Sequence, residues 1–112
     1  MVINLDKYNL DNLYNDLLEK KDKEITNSYT SFLLKNKKLL AKKIGEEATE
    51  VLIEYINDDK KNLINESADL LYHLNVMWLS MEISPNDIWK EFLRRKNISG
   101  FAEKNNRKKN EI

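Results

Sequence analysis

The chain has 112 residues, 19 of them basic and 19 acidic, with one histidine and no cysteine. That length predicts one domain with a modest core, and the cancelled charge leaves no global field for nucleic acid or an anionic membrane. Without cysteine there is no disulfide framework or thiolate metal site, and no apolar stretch approaches the ~20 residues that span a bilayer.

Two glycines and one proline leave little turn punctuation, which predicts helices joined by short polar loops, an all-α chain. The start, "MVINLDKYNLDN", carries acid early and has no continuous apolar run, so no signal peptide is expected and the predicted location is the cytoplasm. Residues 8–24 place Leu10, Leu13, Leu17 and Leu18 at helical spacing. "TNSYTSFLLKN" follows, where Thr26, Asn27 or Ser28 caps a short second helix. The third helix is predicted from Lys37 to Tyr55 or Ile56, with Leu40, Ile44, Ala48, Val51, Leu52 and Tyr55 as its apolar stripe. A fourth runs from about Lys61 to Met81 and stops at "SPND", where Ser84 and Pro85 start the next. The fifth, Asn86 to about Lys96, carries Ile88, Trp89, Phe92 and Leu93. Residues 8–96 form the expected core of the domain; 97–112 lack a period and are expected to fray.

Charge is unevenly placed on the third helix. "KKIGEEATEVLIEY" (42–55) sets Glu46, Glu47, Glu50 and Glu54 within nine residues, and like charges three or four apart on a helix repel. The fourth helix raises the same question. In "ADLLYHLNVMWLSM" (68–81) ten of fourteen residues are apolar and point all round, the pattern of a helix buried on every side. Asp69 sits inside that run, and Glu66, Asp69 and His73 fall within about 60° of one another. An unpaired buried carboxylate costs several kcal/mol, roughly, so it is normally paired or metal-bound. The short "NDDKKN" connection favours antiparallel packing, in which the two acidic stripes meet. A divalent cation offsets both the repulsion and the burial. All-oxygen ligands describe a hard site for Mg²⁺ or Mn²⁺, and Mg²⁺ keeps coordination positions for substrate phosphates.

The residues also carry a family likeness. "EEATE" (46–50) followed by "ESAD" (66–69) resembles the EExxE…ExxD signature of the all-α nucleoside triphosphate pyrophosphatases, the MazG-like superfamily. "SYTSFLL" (28–34), "LAKKIGEEATE" (40–50) and "NESADLLYHLNVMWL" (65–79) resemble the phosphoribosyl-ATP pyrophosphatase family, which acts second in histidine biosynthesis. The likeness covers roughly residues 8–96. Asn27 departs from it, standing where the family often has glycine.

The resemblance implies a MazG-like bundle of about five helices, assembled as a homodimer. It implies Mg²⁺-dependent hydrolysis of phosphoribosyl-ATP to phosphoribosyl-AMP and pyrophosphate, with neither nucleic acid nor membrane as partner. Glu47, Glu50, Glu66 and Asp69 match the metal ligands, and Glu46 would position or activate the attacking water. Lys38, Lys42 and Lys43 match a basic segment, and each either contacts phosphate or is a solvent-exposed helix lysine. Ser28, Tyr29 and Thr30 either touch substrate or cap and pack the second helix. His73 supports the site or the substrate, and Arg94 and Arg95 offer cations for a second anionic end. Met77, Trp78 and Trp89 are read as core or subunit interface.

Two rivals stand beside this expectation. One is a house-cleaning (d)NTP pyrophosphatase with the same carboxylates and another base pocket. The other is a helical interaction module, with acidic stripes for a basic partner or a basic end for nucleic acid. That end, 94–109, holds seven Lys or Arg. A carboxylate inside an apolar helix argues against a plain binding module.

Overall fold

The computed structural model describes residues 7–22, 28–96 and 104. Among them the chain is all-α: α1 (Leu10–Asp22), α2 (Tyr29–Leu34), α3 (Lys37–Ile56), α4 (Lys60–Ser80) and α5 (Pro85–Arg95). Each helix lies within two residues of its predicted bounds. Thr26, Asn27 and the fraying expected of 97–112 lie outside the described residues, residue 104 aside.

Local chemistry sets the boundaries. Ser28 caps α2, its hydroxyl oxygen accepting from the Ser31 N–H at 3.0 Å. Asp59 caps α4 in the same way through the Asn62 N–H at 3.1 Å. At the start of α5, Pro85 takes the first turn, and the Ser84 N–H donates to the Asp87 carboxylate at 2.9 Å. Both long helices end without glycine. Asp58 (φ 55°) and Glu82 (φ 57°) adopt the left-handed conformation. The following N–H groups then bond back five residues, Asp59 to Glu54 at 3.0 Å and Ile83 to Trp78 at 2.9 Å.

The turn at 57–59 folds α4 back on α3, and this hairpin is the main packing of the molecule. α1 and α2 lie against α4, and α5 lies on α1. The core is Leu17, Leu33, Leu40, Val76 and Leu79, with Leu13, Tyr14, Leu18, Leu34, Ile44, Tyr72 and Met77 around it. α1 and α2 supply half of these residues, and the hairpin brings them against the beginning of α3 and the end of α4, so the core lies at one end.

The other end is uncovered, and this corrects the expectation that α4 is buried on every side. Ile64 and Leu71 of α4 are exposed, as are Leu52, Ile53, Tyr55 and Ile56 of α3. Leu52 and Tyr55 therefore lie outside the core expected of them. Trp89, Phe92 and Leu93 of α5 are also exposed. Apolar periodicity picks a face of each helix, but one chain has too few helices to cover all those faces. Asp69 is exposed as well, so its predicted burial within the helix is wrong for the single chain. Only the second half of α4 enters the core, and Asp69 stands on another face. No described helix is long and apolar enough to cross a membrane.

Candidate metal centre and active site

Helical spacing and the hairpin together build the acidic site. Glu47 and Glu50 are three apart on α3, Glu66 and Asp69 three apart on α4. One carboxylate oxygen from each of Glu47, Glu66 and Asp69 lies within 4.8 Å of the others. Glu50 is outside that trio but within hydrogen-bonding reach of both Glu47 and Glu66. Glu54 is not part of the group.

The electrostatics are those of a site short of positive charge. Glu66 is pushed up to about 7 by its hydrogen bond with Glu50, then by burial and by the charges of Glu50, Asp69 and Glu47. Glu47 is raised by burial first, then by Glu50 and Asp69. One oxygen of each, Glu47 Oε2 and Glu66 Oε2, is buried without a hydrogen-bond partner. Buried acceptors are almost always paired, so two orphans within one acidic group suit an oxygen-seeking cation. The burial first sought at Asp69 thus resides in Glu47 and Glu66.

His73 adjoins the cluster and is buried. Its Nδ1 lies 2.7 Å from the Asp69 carbonyl oxygen, which can only accept, so Nδ1 carries the proton. Nε2 is hydrogen-bonded to the Tyr29 hydroxyl at 3.1 Å. With both nitrogens engaged, the ring ties α2 to the helix that carries Asp69. Tyr72 reinforces the joint: its ring stacks with Tyr29 at 6.1 Å and meets His73 edge-on at 5.1 Å. The Tyr72 hydroxyl is 2.6 Å from Thr30 Oγ1, and burial raises its pKa. The sequence reading gave Tyr72 no role. Its signal was present, since it lies three residues after Asp69 and beside His73.

The remaining candidates are dispersed. Ser28 caps α2, Thr30 is buried against Tyr72, and Tyr29 alone of that block presents a large exposed surface. Lys42 and Lys43 both face Glu46, at 4.0 and 3.5 Å, and Lys38 is exposed in the first turn of α3. Arg94 and Arg95 grip Glu91 of their own helix at 2.7 and 3.0 Å. Met77 and Trp78 are half-buried.

Comparison with known proteins adds an independent line. The family model described as phosphoribosyl-ATP pyrophosphohydrolase matches residues 10–96. A phosphoribosyl-ATP pyrophosphatase of Gluconobacter oxydans is 42% identical over 104 residues, covering 92% of this chain and 78% of the relative. One from Azospirillum brasilense is 42% identical over 100 residues, 88% of this chain and 90% of its own length. The phosphoribosyl-ATP pyrophosphatase 2 of Rhodopseudomonas palustris is 44% identical over 96 residues, 85% and 73% of the two chains. The match spans all five helices and both acidic stripes, and this chain belongs to the phosphoribosyl-ATP pyrophosphohydrolase family.

Proposed function

We propose that the protein hydrolyses phosphoribosyl-ATP to phosphoribosyl-AMP and pyrophosphate, the second step of histidine biosynthesis, with Mg²⁺ (or Mn²⁺) held by Glu47, Glu50, Glu66 and Asp69. The observation that carries this reading is the convergence of Glu47, Glu66 and Asp69, with two buried unpartnered oxygens, in a chain of this family. When bound, the cation would neutralise phosphate charge and lower the pKa of coordinated water.

The chain's own groups do the rest. Glu47 and Glu66 supply preformed oxygens that need no desolvation at the moment of binding. The His73–Tyr29 pair fixes the α4 backbone at Asp69. Glu46, held between Lys42 and Lys43 on the flank of the cluster, orients the attacking water and receives its proton. Water oxygen bonds to phosphorus as the α–β bridging P–O bond breaks, and the bonding pair leaves with pyrophosphate. Lys38, Lys42 and Lys43 are assigned to the phosphates, and Arg94 and Arg95, which also bind Glu91, to a second anionic end.

The active form in this proposal is a cytoplasmic homodimer. Support comes from the uncovered apolar residues of α3, α4 and α5, the kind of surface that marks an interaction site. A two-fold pairing covers identical patches on both copies.

Turnover of phosphoribosyl-ATP against ATP and a panel of dNTPs, with Mg²⁺, tests the reading. Selective release of pyrophosphate from phosphoribosyl-ATP is expected, with ¹⁸O from solvent in one product. Equal or better turnover of dNTPs would favour a house-cleaning role.

A further inference from the structure

Gly45 has no reason to be glycine within its own chain. It lies in the interior of α3, where glycine destabilises a helix relative to alanine. Its backbone is not left-handed, and a Cβ built on it meets nothing within 4 Å. Neither conformation nor packing therefore calls for the missing methyl. The space above it is open to a group that comes from outside.

What surrounds Gly45 says what that is. It floors an open depression of about 460 Å³ lined by Lys42, Gly45, Glu46, Thr49 and Glu50. The Lys42 side chain is 73% exposed and its ammonium is 4.0 Å from Glu46, leaving most of its hydration shell to be exchanged for a ligand. The Thr49 hydroxyl is spent on the Gly45 carbonyl at 2.9 Å. Glu50 forms the wall toward the metal cluster, one turn from Glu47. A cation set among carboxylate acceptors suits a phosphorylated sugar, whose phosphate meets the ammonium and whose hydroxyls donate to the carboxylates.

Resting on the function proposed above, we infer that Gly45 is a specificity-determining residue. It gives a phosphate-bearing ribose of the substrate close access to α3, with Lys42 on its phosphate, while the triphosphate reaches the carboxylates. The substrate has two such riboses, one on each side of its adenine, and both share this chemistry.

The test sets stability against activity. Gly45→Ala should raise Tm by roughly 2–8 °C, because alanine suits the helix and meets no neighbour. It should also lower kcat/KM for phosphoribosyl-ATP at least tenfold, and Gly45→Leu should lower it further. Lys42→Ala should raise KM, and Lys42→Arg should restore it. Inhibition by ATP separates the sources. If Gly45→Ala weakens ATP as strongly as phosphoribosyl-ATP, the bay holds the ribose next to the triphosphate; if ATP is unaffected, it holds the added phosphoribosyl group. Activity of Gly45→Ala within twofold of the parent overturns the inference, as does a loss of activity that tracks dissociation in sedimentation, which would make the bay an interface between copies. A parent chain inert on phosphoribosyl-ATP removes the function and this inference together, whereas an active parent with an equally active Gly45→Ala removes only the inference.

Discussion

At the scale of single residues, the acidic cluster stabilises function at the expense of the fold. Glu47, Glu66 and Asp69 lie within reach of one another, with Glu50 beside the first two, so they repel, and burial compounds this at Glu47 and Glu66. Alanine at Glu47, Glu50, Glu66 or Asp69 should reduce Mg²⁺-dependent turnover by about 10²-fold or more, with the helical circular dichroism retained. Near-normal turnover in two of the four would refute the ligand assignment. A second measurement reads the same physics from the other side. In chelator at pH 8, Glu66→Gln should melt above the parent, since it removes a charge that the folded state holds at a disadvantage. Added Mg²⁺ should then raise the parent's Tm and leave the variant's almost unmoved. His73 behaves differently, because its Nε2 has the Tyr29 hydroxyl as partner. Tyr29→Phe leaves a buried ring nitrogen unpaired and should destabilise by about 1–3 kcal/mol in denaturant titration.

At the scale of elements, helix ends carry the testable chemistry. Asp58 and Glu82 adopt φ near +55°, a conformation that disfavours a Cβ by about 1–2 kcal/mol. Glu82→Gly should therefore stabilise by about 0.5–1 kcal/mol, while Glu82→Val should lower Tm. At the end of α5, Glu91 is held down at about 2 by hydrogen bonds from Arg94 and Arg95. A carboxylate with a depressed folded pKa contributes stability above its unfolded value, near 4.3, and loses it as pH falls toward 2. Melting from pH 5 to pH 2 should thus lower the parent's Tm more than that of Glu91→Gln. Both carboxylate and guanidinium groups remain substantially exposed, so salt should shrink the difference.

For the whole molecule, the half-covered hairpin dominates. A core of Leu17, Leu33, Leu40, Val76 and Leu79 anchors one end; Leu17→Ala or Leu79→Ala should cost about 2–5 kcal/mol. Leu52, Ile56 and Ile64 at the other end are 60–75% exposed. If a second copy covers them, Ile56→Asp should shift sedimentation from dimer to monomer at micromolar concentration and lower Tm. A parent that sediments as a monomer would remove the dimer from the proposal.

Much of this architecture was written in local sequence. Caps at Ser28 and Ser84, the breaker Pro85 and the spacing of leucines gave five helices to within two residues, because these signals act within a turn or two of chain. The meeting of Glu47 and Glu50 with Glu66 and Asp69 was also legible, since a three-residue turn forces α3 and α4 to share a face. Tertiary structure alone decided which apolar stripes are covered. A period names the face of a helix and not its neighbour, so Leu40 is buried while Leu52 and Tyr55 on the same helix are exposed. For the same reason Asp69, read as buried from its apolar flanks, is exposed, and the orphaned oxygens belong to Glu47 and Glu66. The Tyr29–His73 bond joins residues 44 apart in sequence. Only the packing of α2 beside α4 brings them within 3.1 Å, and a contact at that separation leaves no trace in the local pattern of either helix.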